Sequence, residues 1–141
     1  MKNEHSFLNL QGKVAIITGA ATGLGAATAQ LLSAAGANVL INHMPGQESQ
    51  AQTVANDCVS DSNNLNSKSK TLCYSGDIIK DEDCKRTVEA AIEHWGRVGI
   101  LVNNAGGGGH VPTKYATDEH FEAGLSLNFR APFYLTRSAR P

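Results

Sequence analysis

Long apolar runs, excess charge of either sign and paired cysteines are all missing from this chain of 141 residues. No stretch approaches the ~20 apolar residues that a membrane-spanning helix needs, so no membrane partner is expected. The formal net charge is −1 at pH 7, which gives no field to draw in nucleic acid or acidic lipid. Cys58, Cys73 and Cys84 are odd in number and lack CxxC spacing. That fits reduced thiols in a cytoplasmic protein. His5, His43, His94, His110 and His120 are scattered. None pairs with a cysteine or carboxylate at ligand spacing, so no metal site is expected. The opening residues, MKNEHSFLNLQGK, are mixed and polar and do not form a signal peptide. No solenoid-type repeat is present.

What remains is an ordinary globular composition, 41% hydrophobic and 18% charged, enough for one domain with a core. Its most informative stretch is Val14–Ile41, VAIITGAATGLGAATAQLLSAAGANVLI. Val14–Ile17 is apolar without alternation, as in a strand covered on both faces. Gly19, Gly23 and Gly25 fall where that strand must turn into a helix. Glycine there lifts the limit on φ and lets a ligand reach the backbone. The helix start turns unpaired N–H groups and the positive end of its dipole outward, which suits a pyrophosphate. The spacing is G-x-x-x-G-x-G, not G-x-G-x-x-G. A turn leading into a small-residue helix packed on a sheet is the lesser reading of these glycines alone. Leu24, Ala27, Leu31 and Leu32 form the expected sheet-facing stripe of that helix, Gly36 ends it, and Ala37–Asn42 resumes an apolar strand.

Downstream, Gln47–Val59 reads as a polar helix and Ser60–Lys70 as a surface loop rich in Ser, Asn and Lys. Thr71–Ser75 is a third strand, followed by Gly76 and Asp77. Asp81–Trp95 is a helix with acidic residues in its first turn, with Val88, Ala91, Ile92 and Trp95 on one face and Gly96 as its cap. Ile100–Val102 begins a fourth strand that ends in Asn103, Asn104, Ala105 and Gly106. Gly106–Gly109 opens a flexible loop. Asp118 caps a last helix whose apolar members are Phe121, Leu125, Phe129, Phe133 and Leu135. Strands alternating with helices imply an α/β fold: a Rossmann-like doubly wound parallel sheet, incomplete at about four strands and four helices. In such a sheet ligands lie beyond the strand C-termini, and that is where the unusual residues fall.

Thr18–Gly25 (TGAATGLG), Asp77 after the third strand, Asn103–Gly106 (NNAG) and Asn128 within SLNFRAPFYLTRSARP together resemble the short-chain dehydrogenase/reductase family. They stand in its order and approximate spacing. The resemblance covers about Leu10 to the last residue and implies the following roles. Gly19, Thr22, Gly23, Leu24 and Gly25 would cradle the cofactor's pyrophosphate and adenosine side, with the Leu24 N–H donating to phosphate. Asp77 would accept from the adenine amino group, and Ile78 would pack on the ring. Asn104, Ala105 and Gly106 would line the ribose. Thr18 would tie the first strand to the asparagine pair. Asp77 also reads as a turn residue, Asn103 and Asn104 as structural brackets, and Asn128 as a polar residue inside a helix.

For the cofactor, the tip of the second strand is Asn42-His43-Met44, with no carboxylate before Glu48. That favours NADP(H) over NAD(H), weakly, because no Arg or Lys stands there or at Thr22, and only His43 could meet a 2′-phosphate. The family's chemistry uses an Asn-Ser-Tyr-Lys set with Tyr and Lys in YxxxK. Here Tyr74, Tyr115 and Tyr134 are followed four residues on by Ile78, Glu119 and Ser138. Of the set only Asn128 is matched, as the catalytic candidate. The expectation is one NAD(P)-binding domain over residues 1–141, truncated before the catalytic Tyr/Lys segment. It would be the cofactor half of an oxidoreductase acting on an alcohol or carbonyl, inactive alone, poorly soluble, and homo-oligomeric at full length. The competing expectation is a non-catalytic nucleotide-binding or subunit-interaction fragment.

Overall fold

A computed structural model describes residues 8–64, 67–107 and 110–140. Four parallel strands, β1 (Val14–Ile17), β2 (Asn38–His43), β3 (Thr71–Ser75) and β4 (Ile100–Val102), form one sheet in the order β3-β2-β1-β4. Ile16 stands level with Leu40 on one side and with Leu101 on the other. The helices are α1 (Gly23–Ala34), α2 (Glu48–Asn64), α3 (Asp81–Trp95), α4 (Asp118–Leu125) and α5 (Ala131–Ala139).

Successive β1 side chains enter opposite cores, as the two-residue period of a strand requires. Ala15 and Ile17 join Val39, Ile41 and residues of α1 and α2. Val14 and Ile16 join Leu40, Val88 and Ala91 of α3, and Ala131 and Leu135 of α5. The sheet is covered on both faces, as expected of a doubly wound fold.

The helices depart from expectation in three places. On α1, Leu24 and Leu31 point outward, 81% and 71% exposed. Ala27 is exposed too, and of the expected stripe only Leu32 packs against the core. The buried residues of α1 are Gly25, Ala29 and Ser33, because small side chains let the helix sit close to its neighbours. Second, α2 continues through Asn64 rather than ending at Val59. It holds against α1 through Ala51, Val54, Ala55 and Cys58. The loop expected over Ser60–Lys70 is shorter by that much, and its residues 65–66 lie outside the described ones. Third, the last helix is not uniform. Thr117, not Asp118, is its N-cap, in a capping box with His120. Residues Ser126–Arg130 widen into a π turn before α5. Pro132 follows directly; it has no N–H and its ring crowds the preceding turn. Phe121, Phe129 and Phe133 face outward there, while Leu135 is buried. Among the described residues no helix is long and apolar enough to cross a membrane.

Candidate functional site

The C-terminal ends of the four strands lie side by side, and the loops that leave them are tied together by buried polar side chains. Thr18 follows β1 and has no exposed surface. Its Oγ1 accepts the N–H of Asn104 at 3.1 Å and of Ala105 at 3.0 Å, and donates to Val102 O at 3.4 Å. The Asn104 amide answers by donating from Nδ2 to Thr18 O at 2.9 Å and Gly19 O at 3.3 Å. The bracket expected between Thr18 and the asparagine pair is therefore present. Asn103 reaches away from it, donating to Thr136 Oγ1 at 3.5 Å.

The glycines have separate reasons. Gly19 (φ +60°) packs against Ala105, where a Cβ would meet its Cα at 3.0 Å. Gly25 lies so close to the Asn104 amide and the Gly19 carbonyl that a Cβ would fall 2.5 Å from each. Gly23 (φ +58°) differs: nothing lies within 4 Å of a built Cβ, so its demand is conformational and the space before it is open. Thr22 is the α1 N-cap but its side chain makes no capping bond, and the first turn has no acidic residue. The first N–H to bond back is that of Ala26, to Thr22 O at 3.2 Å. The N–H groups of Gly23, Leu24 and Gly25 have no acceptor among the described residues, and the positive end of the dipole is uncompensated. This donor set fits a phosphate; it offers neither a nucleophile nor a proton-transfer group.

Asn42 is a site residue that sequence reasoning passed over except as a missing carboxylate. It is buried at the end of β2. Its Oδ1 accepts the Gly19 N–H at 3.4 Å, its Nδ2 donates to Gly76 O at 3.2 Å, and its backbone O accepts the Ala20 N–H at 2.9 Å. One side chain thus joins the turns after β1 and β3. An amide at the close of an otherwise apolar strand was the available signal. His43, beside it, is buried too, and its Nδ1 faces Met44 O at 2.9 Å.

Asp77 accepts the Ile79 N–H on Oδ1 at 3.3 Å, while its own N–H donates to Asp83 Oδ2 at 2.9 Å. Lys80 stands 3.9 Å from Oδ2. These contacts make Asp77 the turn residue that leads into α3. Ile78 is 3% exposed and belongs to the core under α3; the exposed neighbour is Ile79. Gly106 comes near Asn128, whose Nδ2 donates to Gly107 O at 2.6 Å and Gly124 O at 2.8 Å and whose Oδ1 accepts the Gly107 N–H at 3.2 Å. Asn128 therefore clamps the loop after β4 onto the π turn. Residues 108–109 of the expected glycine loop lie outside the described ones.

Neither core thiol is a nucleophile in waiting. Burial pushes Cys58 up to about 11 and Cys84 up to about 12. A groove of about 470 Å³ lies elsewhere, between α3 and α5, and contains none of the expected site residues. Arg137 at its rim holds both carboxylate oxygens of Asp81 at 2.6 Å.

A family profile described as short chain dehydrogenase matches residues 13–141. The hydroxynaphthalene reductase-like protein Arp2 of Metarhizium majus is 31% identical over 137 residues, which is 97% of this chain and 49% of Arp2. Among solved structures, a metagenomic short-chain oxidoreductase in complex with NADP superposes with a TM-score of 0.79 at 27% identity. The match covers 92% of this chain and 55% of that one. An NADH-dependent reductase, A1-R′, complexed with NAD gives a TM-score of 0.79 at 28% identity, covering 92% of this chain and 52% of that one. The chain thus spans about half the length of the relatives it matches. Its glycine turn, its threonine–asparagine bracket and its sheet order sit on a sequence that the family profile matches almost from end to end, and the chain belongs to the short chain dehydrogenase family.

Proposed function

We propose that residues 1–141 are the dinucleotide-binding half of an NAD(P)-dependent oxidoreductase that acts on an alcohol or carbonyl. The observation that carries this reading is the open, uncapped start of α1 beside Gly23, held in place by the Thr18–Asn104 bracket. The pyrophosphate would lie on the N–H groups of Gly23, Leu24 and Gly25, with Gly19 and Thr22 shaping the turn. Asp77 would border the adenine, with Ile78 held in the core behind it, and Asn104, Ala105 and Gly106 would border the ribose. Asn128 would act at the nicotinamide side by fixing the Gly106–Gly107 segment. When bound, the cofactor supplies or accepts hydride. The sequence holds no YxxxK pair, so hydride transfer is proposed only for a protein that joins this half to a segment supplying that acid and base. We further propose a modest preference for NADP(H), since no carboxylate stands at residues 42–44, and a cytoplasmic location with reduced thiols. A homo-oligomer is proposed for the full-length form.

The test is titration of the purified chain with NADPH and NADH, read by energy transfer from Trp95, the one tryptophan. Saturable binding of either supports the cradle; no saturable signal for both refutes it. A second reading, a non-catalytic fragment that binds a partner subunit, draws on the outward-facing Phe121, Phe129 and Phe133. A monomer in sedimentation at all accessible concentrations would remove it.

A further inference from the structure

The described residues between β4 and α4 have two fasteners. At the β4 end Asn128 holds Gly107, accepting its N–H on Oδ1 at 3.2 Å and donating from Nδ2 to its carbonyl at 2.6 Å. At the α4 end the fastener is the capping box. Thr117 Oγ1 accepts the His120 N–H at 3.5 Å, and His120 Nδ1 accepts the Thr117 N–H at 3.1 Å. The Thr117 hydroxyl also lies 2.9 Å from Nδ1. The third position of such a box ordinarily carries Glu or Gln, whose oxygens stay acceptors throughout the neutral range. Here it carries an imidazole. A backbone N–H can only donate, so Nδ1 must turn its lone pair toward Thr117 and the ring proton must sit on Nε2. Protonation of the ring sets a second N–H against the first, and the box cannot survive it.

We propose that His120 is a pH-sensitive latch: neutral, it pins residues 110–117 to the start of α4; charged, it lets that end go while Asn128 keeps its hold on Gly107. The segment released carries the Thr113–Tyr115 turn, with Tyr115 exposed and the Lys114 ammonium 4.7 Å from the centre of its ring. It follows Gly106 and Gly107, so its release falls beside the candidate site and in neither core. The latch stands apart from the dinucleotide reading. The charges around the imidazole lie at the surface. On α4 itself Asp118 and Glu119 stand in the first turn. The Thr117 hydroxyl, then Glu119's own N–H, hold the Glu119 carboxyl below the usual carboxylate range. Farther along, Glu122 Oε2 is engaged by Arg130 Nη1 of the adjoining π turn at 2.9 Å. In the preceding segment the titratable side chains are His110, Lys114 and Tyr115. The carboxylates favour an imidazolium and the helix dipole opposes it; exposed as they are, these effects are screened. The hydrogen bond from the Thr117 N–H separates the two states, and imidazole is the side chain whose charge ordinarily changes between pH 5 and 8. The box is therefore complete above that range and is lost as pH falls through it.

NMR of the isotope-labelled chain tests the latch. Ring nitrogen shifts should show His120 neutral at pH 8 with its proton on Nε2. Between pH 8 and pH 5 the exchange protection of the Thr117 amide, corrected for the intrinsic rate, should fall roughly fivefold, the size of one hydrogen bond. Protection of the Gly107 amide should change less than about twofold, because local openings are independent of one another. His120→Gln keeps an oxygen to accept the Thr117 N–H and takes up no proton in this range, so its Thr117 protection should be level from pH 8 to 5. A proton on Nδ1 at pH 8 overturns the latch, as does Thr117 protection in the wild-type chain that is the same at both pH values. An equal fall at Gly107 also overturns it, by showing general loosening. So does a fall that persists in His120→Gln, which assigns the effect to Asp118 or Glu119. The tautomer and the Gly107 comparison are read on the wild-type chain, so a variant that fails to fold leaves the proposal exposed to both.

Discussion

The two sides of the sheet centre are built from the same kinds of residue and end in different states. On the β1–β2 side, Ile16, Ile17, Leu40 and Ile41 have no exposed surface at all. On the β4 side, Ile100, Leu101 and Val102 all keep some exposure, and the phenylalanines that follow in α4, the π turn and α5 face outward. The difference is not in the strand chemistry. β1 is paired on both edges and sandwiched by helices, whereas β4 pairs with β1 alone. Burial is conferred by neighbours, and the same Ile-Leu-Val composition is buried fully in one strand and only partly in the other. The polar brackets follow the same division: Thr18 and Asn42 are sealed within the β1–β2 side, while Asn128 works at the surface.

The largest expected effect tests this contrast directly. Ile41→Ala should cost about 2–5 kcal/mol of unfolding free energy, whereas Ile100→Ala should cost about 1 kcal/mol, because the cavity term needs a site closed on all sides. Urea denaturation of both variants measures it; equal losses would abolish the distinction between the two sides. Next in size is Thr18→Val, which leaves the N–H groups of Asn104 and Ala105 without their acceptor. A loss of about 2 kcal/mol is expected, with Thr18→Ser restoring most of it. A Thr18→Val variant as stable as wild type would show that the bracket is replaceable by water.

The smallest effect near neutrality concerns the thiols, one in each core. Their folded-state values are raised by burial from 9.0 to about 11 for Cys58 and to about 12 for Cys84. A raised value means the unfolded chain ionises first. The thiols' stabilising contribution is therefore complete below pH 9 and falls as pH rises from 9 through about 11 and 12. Melting temperature should be flat in this respect at pH 7–8.5 and decline above 9. Cys58→Ala and Cys84→Ala should each flatten part of that decline, and an unchanged decline in both would assign it to other groups.

The strands were legible because each is a short run closed at or near a glycine or asparagine, with β2 displaced by one residue from Ala37–Asn42 to Asn38–His43; the Thr18–Asn104 bracket was implied by the family resemblance and is present. The α1 face was not legible. Hydropathy selects Leu24 and Leu31, but close approach to the neighbouring elements selects Gly25, Ala29 and Ser33, and size outranks hydropathy there. The end of α2 was hidden because residues 60–64 are polar and continue a helix whose apolar anchors, Ala51, Val54, Ala55 and Cys58, all lie before them. The role of Asn42 was hidden because three of its partners lie in loops that only the folded sheet brings together. For Asp77, sequence allowed a turn residue or a ligand; the contacts with Ile79 and Asp83 show the turn, and the adenine role stands beside it as a proposal.

One feature of the bracket bears on how this chain is made. Thr18 and Asn104 are 86 positions apart. At ribosomal rates of about 5–20 residues per second, roughly 4 to 17 seconds pass between the emergence of the glycine turn and that of the amide that braces it. Through that interval β1 has no β4 beside it, and its apolar edge is open to any chaperone or neighbouring chain. Parallel pairing across so long a separation is slow in itself. Synonymous changes that alter translation speed between residues 18 and 104 would therefore alter the yield of folded protein while leaving every contact in the finished molecule untouched.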